Sequence, residues 1–464
     1  MAKVLKINDA GWLLAETSRT PAHVGVLATF TMPDDAGEDY LEDLVTRWRE
    51  HATFQPPFNY KLRGLVRGVG LPRWEQLADE DIDLDYHLRH SAVPSPGGER
   101  ELGVLVSRLH SARLDRTYPL WECHVIEGVA ERQWSMYMKV HHSQIDGVGG
   151  VRLANRIFSV DPEARGMLPP WAVGTRGADQ SGLPPKTKEV AKADDSGPGI
   201  VRSAASVAGS LASTYLESAT GSGDRKRAVP WRAPRSVFNV RIGKPRRFAT
   251  QTYDMDRVKR VAKAADGSLN DVFLAICGGA LRRYLLELDK LPSSSLTTIV
   301  PVSVRQEGVG VGNAITFLYA KLGTDVEDPV ERIRVVREST QKGKQRLPTA
   351  AGATMDAYTA LLMTPFLGQA MLGIGGVGVQ AANVVISNVP GMKEQRYFDG
   401  SRVEEYYPLS LLFHGQALNI TCVSNAQSLC IGFTGSRDAV PSLQKIAVYA
   451  GEALEELEQV LGLG

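Results

Sequence analysis

Several features that mark common protein classes are scarce in this sequence. Cysteine occurs only four times in 464 residues, and the four are scattered without a Cys-x-x-Cys pair. This scarcity argues against zinc ribbons and thioredoxin-like chemistry and fits a reducing cytoplasm. Neither sign of charge prevails, since 53 basic residues stand against 52 acidic ones for a formal net charge of +1. Such a balance supplies no field to hold a polyanion, so nucleic acid is not a predicted partner.

Long apolar runs are lacking as well. No stretch reaches the about 18 uninterrupted apolar residues of a membrane-spanning helix. The nearest candidate, 360–385, is interrupted by Thr364-Pro365 and by several glycines. Two interpretations of it are open: a surface that lies against lipid, and a buried helix followed by a glycine-rich turn. The N-terminal residues up to Leu14 include Asp9 and lack a long apolar core, so they do not predict a signal peptide.

The composition that is present, 43% hydrophobic and 23% charged, is typical of a globular protein. The chain is too long for one ordinary core and predicts two domains. Strand and helix patterns are mixed in both halves, which indicates an α/β (α+β) fold of two sandwich-like domains. Between them lies a segment rich in Gly, Ser, Ala, Pro and Lys, interpreted as a crossover with one helix near 201–216. The predicted division is therefore 1–170, 171–235 and 236–464.

One segment carries residues suited to catalysis. A strand predicted over 133–140 leads directly into His141-His142-Ser143-Gln144-Ile145-Asp146-Gly147. Loops at strand ends present side chains into clefts. An imidazole titrates near neutral pH, so it can take a proton from a hydroxyl and return it to a leaving thiolate. Asp146, four residues after His142, is placed to hold the local turn, and Gly147 permits tight turning.

The residues alone leave two other interpretations of this segment open. Adjacent histidines near an aspartate are often ordinary core or surface residues. His and Asp are also metal ligands, but neighbouring residues of a strand point to opposite faces, so His141 and His142 do not readily share one ion. We therefore predict neither a metal nor a cofactor at this site.

The string from Lys139 to Gly147 closely resembles the active-site motif of the bacterial wax ester synthase/acyl-CoA:diacylglycerol acyltransferase family. Five more segments resemble that family in the same order, and they lie at 20–25, 119–122, 268–271, 387–391 and 415–421 with 432–434. The histidine motif alone is shared with chloramphenicol acetyltransferases, plant acyltransferases and peptide condensation domains. The combination is more specific, and it covers nearly the whole chain outside the crossover.

This resemblance implies two similar domains of the chloramphenicol acetyltransferase type, with the active site and a tunnel between them. It implies that His142 is a general base in direct acyl transfer, while His141 supports the loop. Asp146 is expected to hold the loop by pairing with an arginine, for which Arg305 is the candidate. Asn270 is the candidate donor to the oxyanion, with a helix N-cap as its alternative role.

The resemblance also assigns residues to substrate binding. Pro119, Leu120 and Trp121 belong to this set, although packing that positions the histidine loop is their other interpretation. The remaining members are Gly147, Asp271, Ser387 and Asn388. We interpret 387–391 as a tight turn near the crossover between the domains.

The implied donor is a long-chain acyl-CoA, which is a substrate rather than a cofactor. The implied acceptor is a fatty alcohol, giving a wax ester, or a diacylglycerol, giving triacylglycerol. Because the products are insoluble, we expect a cytoplasmic enzyme attached peripherally to the inner membrane or to lipid droplets. This attachment is expected to be apolar, since the clearest basic run, Arg225-Lys226-Arg227, is short. The alternatives are a related or condensation-type enzyme with another acceptor, and a non-catalytic lipid-droplet protein.

Overall fold

The structure, a computed structural model, describes residues 2–5, 7–64, 72–175, 198–220, 228–304, 314–347 and 352–464. Helices and strands are mixed in both halves, so the predicted α/β character is confirmed. The strands of the first half are β1 (Ala2–Val4), β2 (His23–Thr31), β3 (Tyr60–Arg63), β4 (Arg73–Gln76), β5 (Leu88–Ala92), β6 (Trp121–Ala130) and β7 (Gln133–His141). Its helices are α1 (Ile7–Ala15), α2 (Tyr40–Glu50), α3 (Leu84–His87), α4 (Glu99–Ser111), α5 (Gly147–Ile157) and α6 (Pro170–Val173).

The crossover and the second half supply the remaining elements. Their helices are α7 (Pro198–Thr220), α8 (Met255–Ala264), α9 (Leu269–Glu287), α10 (Pro329–Gln345), α11 (Gly352–Met371) and α12 (Leu443–Val460). Their strands are β8 (Arg246–Asp254), β9 (Thr297–Val304), β10 (Ala314–Lys321), β11 (Val384–Met392), β12 (Tyr397–Phe398), β13 (Ser401–Leu409), β14 (Leu418–Asn425) and β15 (Ser428–Ser436). The helix predicted near 201–216 is confirmed, because it falls within α7.

A six-stranded sheet in the order β12-β13-β2-β7-β6-β5 organises the first half. Its strand β7 pairs with β2 so that His141 lies opposite His23. Because side chains alternate along a strand, Met138 and Val140 face one side while Lys139 and His141 face the other. The residue after the strand, His142, continues the face of Val140. The sheet therefore aims the two adjacent histidines in opposite directions.

A second six-stranded sheet, in the order β10-β9-β11-β14-β15-β8, organises the second half. Helix α9 packs against it and is buried along almost its whole length, from Asp271 to Leu281. A helix that is apolar around most of its circumference is stable only inside a core, and α9 forms the centre of the largest one. The N-terminus of this buried helix is fixed beside the space between the two sheets.

The sheets do not follow the division of the chain at residue 236. Strands β12 and β13 belong to the C-terminal segment of the sequence, yet they complete the first sheet, where β13 pairs with β2. Where the sheets cross, a Cβ atom on Gly432 would lie 1.9 Å from the carbonyl oxygen of Pro408. Only glycine permits this approach. The two halves are therefore joined by an exchanged strand as well as by the crossover.

The tight turn predicted at 387–391 is wrong. These residues lie in β11, which runs parallel to β14, and the register shifts between Val389 and Met392. A Cβ on Gly391 would lie 2.0 Å from the carbonyl oxygen of Ser424. Glycine in a strand commonly marks such an irregularity, so the Pro-Gly pair here bends a strand instead of ending it.

The segment 360–385 contains a partly buried helix followed by glycine-rich turns, as in the second interpretation given above, and it also exposes apolar side chains. Helix α11 carries Pro365 in its interior and buries Leu362 and Phe366, and glycine-rich turns follow it. Its outer surface and those turns expose five large apolar side chains, which we call the apolar surface: Leu361, Leu372, Ile374, Val377 and Val379. Among the residues described, no helix is both long and apolar enough to cross a membrane.

Candidate active site

His142 projects into a cavity of about 540 Å³ between the two sheets. Its backbone N–H donates to the carbonyl of Ala22 at 2.9 Å, which fixes the chain as it leaves β7. The walls are mainly apolar: Met138 and Val140 come from the first sheet, and Ile299 and Val385 come from the second. The predicted location of the histidine, at a strand end and facing a cleft between the halves, agrees with this geometry.

Burial lowers the pKa of His142 below its usual value of 6.5, and the nearby charge of Asp146 raises it in part. A depressed pKa keeps the imidazole neutral near pH 7, which is the state that accepts a proton. The ring of Trp12 covers it, with ring centroids 4.5 Å apart. Trp12 in turn stacks on Phe413 with centroids 5.9 Å apart. Trp12 could not be identified from the sequence, because an aromatic residue in an amphipathic helix carries no chemical signature.

His141 lies on the opposite face of the strand and does not line the cavity. Its Nδ1 accepts from the backbone N–H of Ser143 at 3.2 Å and lies 2.7 Å from the Ser143 hydroxyl. Its Nε2 lies 3.9 Å from a carboxylate oxygen of Glu16. Burial lowers the pKa of His141 to about 3. The bonds to Ser143 hold the turn that presents His142, as expected of a loop support.

Asp146 follows the two histidines and directly precedes α5. It is exposed, and its Oδ1 accepts from the N–H of Gly149 at 2.6 Å, which makes it the N-cap of α5. No ion pair of Asp146 occurs within the described part of the chain, and the proposed partner Arg305 lies outside it. The observed link between Asp146 and loop geometry is therefore a helix cap, and Gly147, the first residue of that helix, lines the cavity.

Asn270 is the second residue of α9 and lines the cavity. The alternative role of N-cap is wrong for Asn270, because Ser268 caps the helix in a reciprocal pair with Asp271. Asp271 accepts from the Ser268 N–H at 3.0 Å and from the Thr340 hydroxyl at 2.7 Å. The amide of Asn270 makes no hydrogen bond to the described residues, so it is free to meet a substrate, and the positive end of the helix dipole lies beside it.

Several residues assigned to substrate binding are placed elsewhere. Asp271 is buried in its capping box, away from the cavity lining. Leu120 and Trp121 are completely buried, and none of the residues 119–121 lines the cavity. The Leu120 carbonyl accepts from the His141 N–H at 3.0 Å, and the Trp121 indole donates to the Phe58 carbonyl at 2.9 Å. These residues therefore belong to the packing that positions the histidine loop.

Polar side chains line the wall formed by the second sheet. Ser387 and Asn388, both predicted, lie on β11 at the cavity, and neither side chain bonds to a described residue. Thr421 on β14 is the register partner of Ser387, so the two side chains share a face. Asn419, two residues before Thr421, lines the same wall. Both residues lie in the segment 415–421 that resembles the family, but neither was among the predicted site residues.

Within the ranges described, no group of three or more His, Cys, Asp or Glu side chains could hold a metal ion. All four cysteines are buried. Burial raises the pKa of each thiol, to about 12 for Cys123 and about 11 for Cys430. The titratable side chains that line the cavity are those of His142, Asp146 and Tyr406.

Comparison with known proteins gives matches over nearly the whole chain. A family described as the wax ester synthase/diacylglycerol acyltransferase catalytic domain matches residues 5–273, and the WS/DGAT C-terminal domain matches 311–458. The O-acyltransferase WSD of Acinetobacter baylyi is 37% identical over 98% of this chain and 96% of its own. A putative diacylglycerol O-acyltransferase of Mycobacterium tuberculosis is 39% identical over 100% of this chain and 99% of its own.

Solved structures agree in fold. The wax ester synthase/diacylglycerol acyltransferase of Marinobacter aquaeolei superposes with a TM-score of 0.79 at 34% identity, covering 99% of this chain and 100% of that one. The first condensation domain of the calcium-dependent antibiotic synthetase matches with a TM-score of 0.55 at 16% identity, covering 98% and 96% of the two chains. At that identity the likeness extends to the fold alone.

Proposed function

The chain belongs to the wax ester synthase/diacylglycerol acyltransferase family and is an O-acyltransferase, and from this premise we propose that His142 catalyses direct transfer of a long-chain acyl group. The donor is an acyl-CoA, and the acceptor is the hydroxyl of a fatty alcohol or of a diacylglycerol. The observation that carries the assignment of the base is the placement of the His142 imidazole, covered on one side by Trp12, in an apolar cavity between the sheets.

The chemistry requires one proton to move twice. His142 takes the proton of the acceptor hydroxyl as that oxygen attacks the thioester carbonyl carbon. The tetrahedral intermediate then collapses, the carbon–sulfur bond breaks, and the imidazolium gives its proton to the departing CoA sulfur. General acid–base assistance of this kind contributes roughly 10²–10⁴-fold. No acyl-enzyme is needed, because the two substrates meet beside the same imidazole.

Asn270 is proposed to donate to the oxyanion that develops on the thioester carbonyl. The support is its position: it lines the cavity with an unengaged amide, while Ser268 and Asp271 hold the helix end beneath it. A donor fixed in advance costs no reorganisation at the transition state, and losing one such donor typically costs about 10²–10³-fold in kcat. Asn388, which also lines the cavity, is the matched control for a polar group of the same chemistry.

The predominantly apolar walls suit long acyl chains. Burial of each methylene group is worth about 0.8 kcal/mol, so a cavity of this kind favours long chains over short ones by contact alone. Helix α11 contributes Met363 and Phe366 to the wall from one side and Leu361 to the apolar surface from the other. At this point α11 therefore lies between the acyl-binding space and the outside of the protein.

We further propose that the apolar surface attaches the enzyme to a membrane or a lipid droplet. Its five side chains have exposed fractions of 47% to 74%. Exposed apolar groups in one region mark interaction sites more often than chance. Inserting them into lipid gains roughly 25 cal/mol per Å² of apolar area. Attachment here would bring the wall of the cavity to the phase in which both acceptors dissolve.

The test is an acyl transfer assay with purified full-length protein. Radiolabelled palmitoyl-CoA is offered with hexadecanol, with dipalmitoylglycerol or with hexadecylamine, and the products are resolved by thin-layer chromatography. We expect wax ester, triacylglycerol or both, and loss of product in Asn270→Ala exceeding that in Asn388→Ala. Amide formation in preference to ester would favour a condensation-type enzyme, and the absence of any product would favour the non-catalytic alternative.

A further inference from the structure

A chain of hydrogen-bonded polar side chains interrupts the apolar wall of the cavity. Ser410, which follows β13, lies with its hydroxyl 3.4 Å from the hydroxyl of Thr421. Thr421 in turn donates to Oδ1 of Asn419 at 2.8 Å. All three residues line the cavity, and Asn419 and Thr421 are only 7% and 4% exposed. Groups so buried are costly unless they are hydrogen-bonded, so a polar ligand that bonded to any group still unpaired here would remove that cost.

This series of hydrogen-bonded side chains ends at Asn419, which has a hydrogen-bonding group that is not used. A side-chain amide has two N–H donors as well as its oxygen. The Thr421 hydroxyl occupies Oδ1 of Asn419, and Nδ2 makes no hydrogen bond to the residues that the structure describes. Because the Thr421 hydroxyl holds Oδ1, the group left for a ligand is the Nδ2 donor, which suits a carbonyl oxygen as acceptor. Asn419 therefore offers one oriented polar contact inside an apolar space.

The position of this contact favours the lipid acceptor over CoA. The loop that begins at Ser410 continues to Phe413, whose ring meets Phe366 of α11 edge-on at 5.4 Å. Gly375 packs closely against the next residue, His414. A Cβ atom on Gly375 would lie 2.2 Å from the carbonyl oxygen of His414. Gly375 lies within the turns that carry the apolar surface. This end of the cavity therefore adjoins the apolar surface, the side at which the proposed membrane attachment would deliver a lipid acceptor.

We propose that Asn419, oriented by Thr421 and Ser410, is a specificity-determining residue that binds an ester carbonyl of a diacylglycerol acceptor. This rests on the proposed function. A fatty alcohol has one oxygen, and His142 requires it. A diacylglycerol carries two ester groups beside its free hydroxyl, so it alone can also fill the contact at Asn419. The residue thus favours triacylglycerol over wax ester synthesis.

The experiment compares two acceptors in the same full-length variants. Initial rates are measured with saturating palmitoyl-CoA and either dipalmitoylglycerol or hexadecanol. In Asn419→Leu we expect kcat/KM for dipalmitoylglycerol to fall about 10-fold, the effect of one lost hydrogen bond in a desolvated site, while that for hexadecanol stays within about 2-fold. Thr421→Val, which keeps side-chain volume, should shift the ratio the same way, and Thr421→Ser should restore it.

Other outcomes overturn the proposal. Equal losses with both acceptors would assign Asn419 to the reacting carbonyl or to the fold, and melting temperatures would separate these. A raised KM for palmitoyl-CoA with unchanged acceptor ratio would assign the contact to the pantetheine arm. A wild-type enzyme that acylates hexadecanol but not dipalmitoylglycerol would refute the acceptor role while leaving the proposed function intact. If the wild type acylates neither, both fail.

Discussion

Substitutions at Asp146 separate two effects that one carboxylate combines. Its Oδ1 caps α5 through the N–H of Gly149, and its charge raises the pKa of His142 against the effect of burial. Asp146→Ala removes both effects. Asp146→Asn removes the charge but keeps an oxygen that can accept from Gly149, and asparagine caps helices about as well as aspartate.

The stability effect follows from the cap. Replacing an N-cap by alanine costs about 1 kcal/mol, within a range of roughly 0.5–2 kcal/mol. In domains of about 150–250 residues each kcal/mol corresponds to about 2–4 °C in Tm. We therefore expect Asp146→Ala to melt a few degrees below the wild type and Asp146→Asn to melt close to it, as measured by differential scanning fluorimetry and by urea unfolding.

The catalytic effect follows from the charge. Activity requires neutral His142, so it falls as pH drops through the pKa of that residue. Removing the negative charge of Asp146 lowers this pKa further, because an attraction that favours the imidazolium is lost. The acidic limb of the kcat/KM profile should therefore move to lower pH in both variants. This limb reports the free enzyme.

Asp254 provides a matched control. It caps α8 by accepting from the Arg257 N–H at 2.9 Å, and it does not line the cavity. Asp254→Ala should lose comparable stability and leave the pH profile unchanged. The reasoning is refuted if Asp146→Asn is as unstable as Asp146→Ala. That result would mean that an ion pair, such as the one first predicted with Arg305, matters more than the cap.

Three further predictions follow from the same structure. Burial lowers the pKa of both His110 and His141 to about 3; because their unfolded values are near 6.5, the unfolded chain binds more protons as pH falls. For the two histidines together, the free energy of unfolding should therefore fall by about 2 kcal/mol between about pH 6.5 and about pH 5.5. If the free energy of unfolding, measured with urea, stays constant over this pH range, their burial is contradicted. Trp12→Ala should admit water to His142, raise its pKa and move the acidic limb of the kcat/KM profile to higher pH, opposite to the Asp146 variants. Trp12→Phe should keep the acidic limb of the wild type. If the acidic limb does not move in either variant, the ring does not shield the base. Co-sedimentation with neutral lipid vesicles should persist in high salt, since apolar insertion is little screened, and should weaken in the double variant Leu372→Ser, Ile374→Ser; binding abolished by salt would point instead to basic residues.

The α/β fold and the position of His142 at the end of a strand could be predicted from the sequence, because both depend on local patterns. The strand that ends at His141 alternates apolar and polar faces, so the opposite orientations of His141 and His142 follow from periodicity alone. The first turn of α9 could be placed to within a residue or two. The spacing of Ser268 and Asp271 fits a capping box, and the structure shows that Ser268 rather than Asn270 is the cap.

The features that could not be predicted from the sequence depend on pairing between distant segments of the chain. Ser387 to Gly391 contains a proline and a glycine, and only its parallel pairing with β14 makes it a strand. Strand β13 joins the first sheet across more than two hundred residues of chain, beside β2. Trp12 and Asn419 reach the cavity from elements that have no catalytic signature. Their roles are set by neighbours that the linear pattern does not identify.

The most direct test of the central claim is the rate of acyl transfer by His142→Ala beside His141→Ala. Both variants are assayed as full-length protein with palmitoyl-CoA and the better of the two acceptors, after circular dichroism has shown that they are folded. We predict that His142→Ala loses at least about 10²–10³-fold in kcat, the contribution of a lost general base, and that His141→Ala loses less. A folded His142→Ala enzyme with near wild-type turnover, or a greater loss in His141→Ala, would contradict the assignment of His142 as the base.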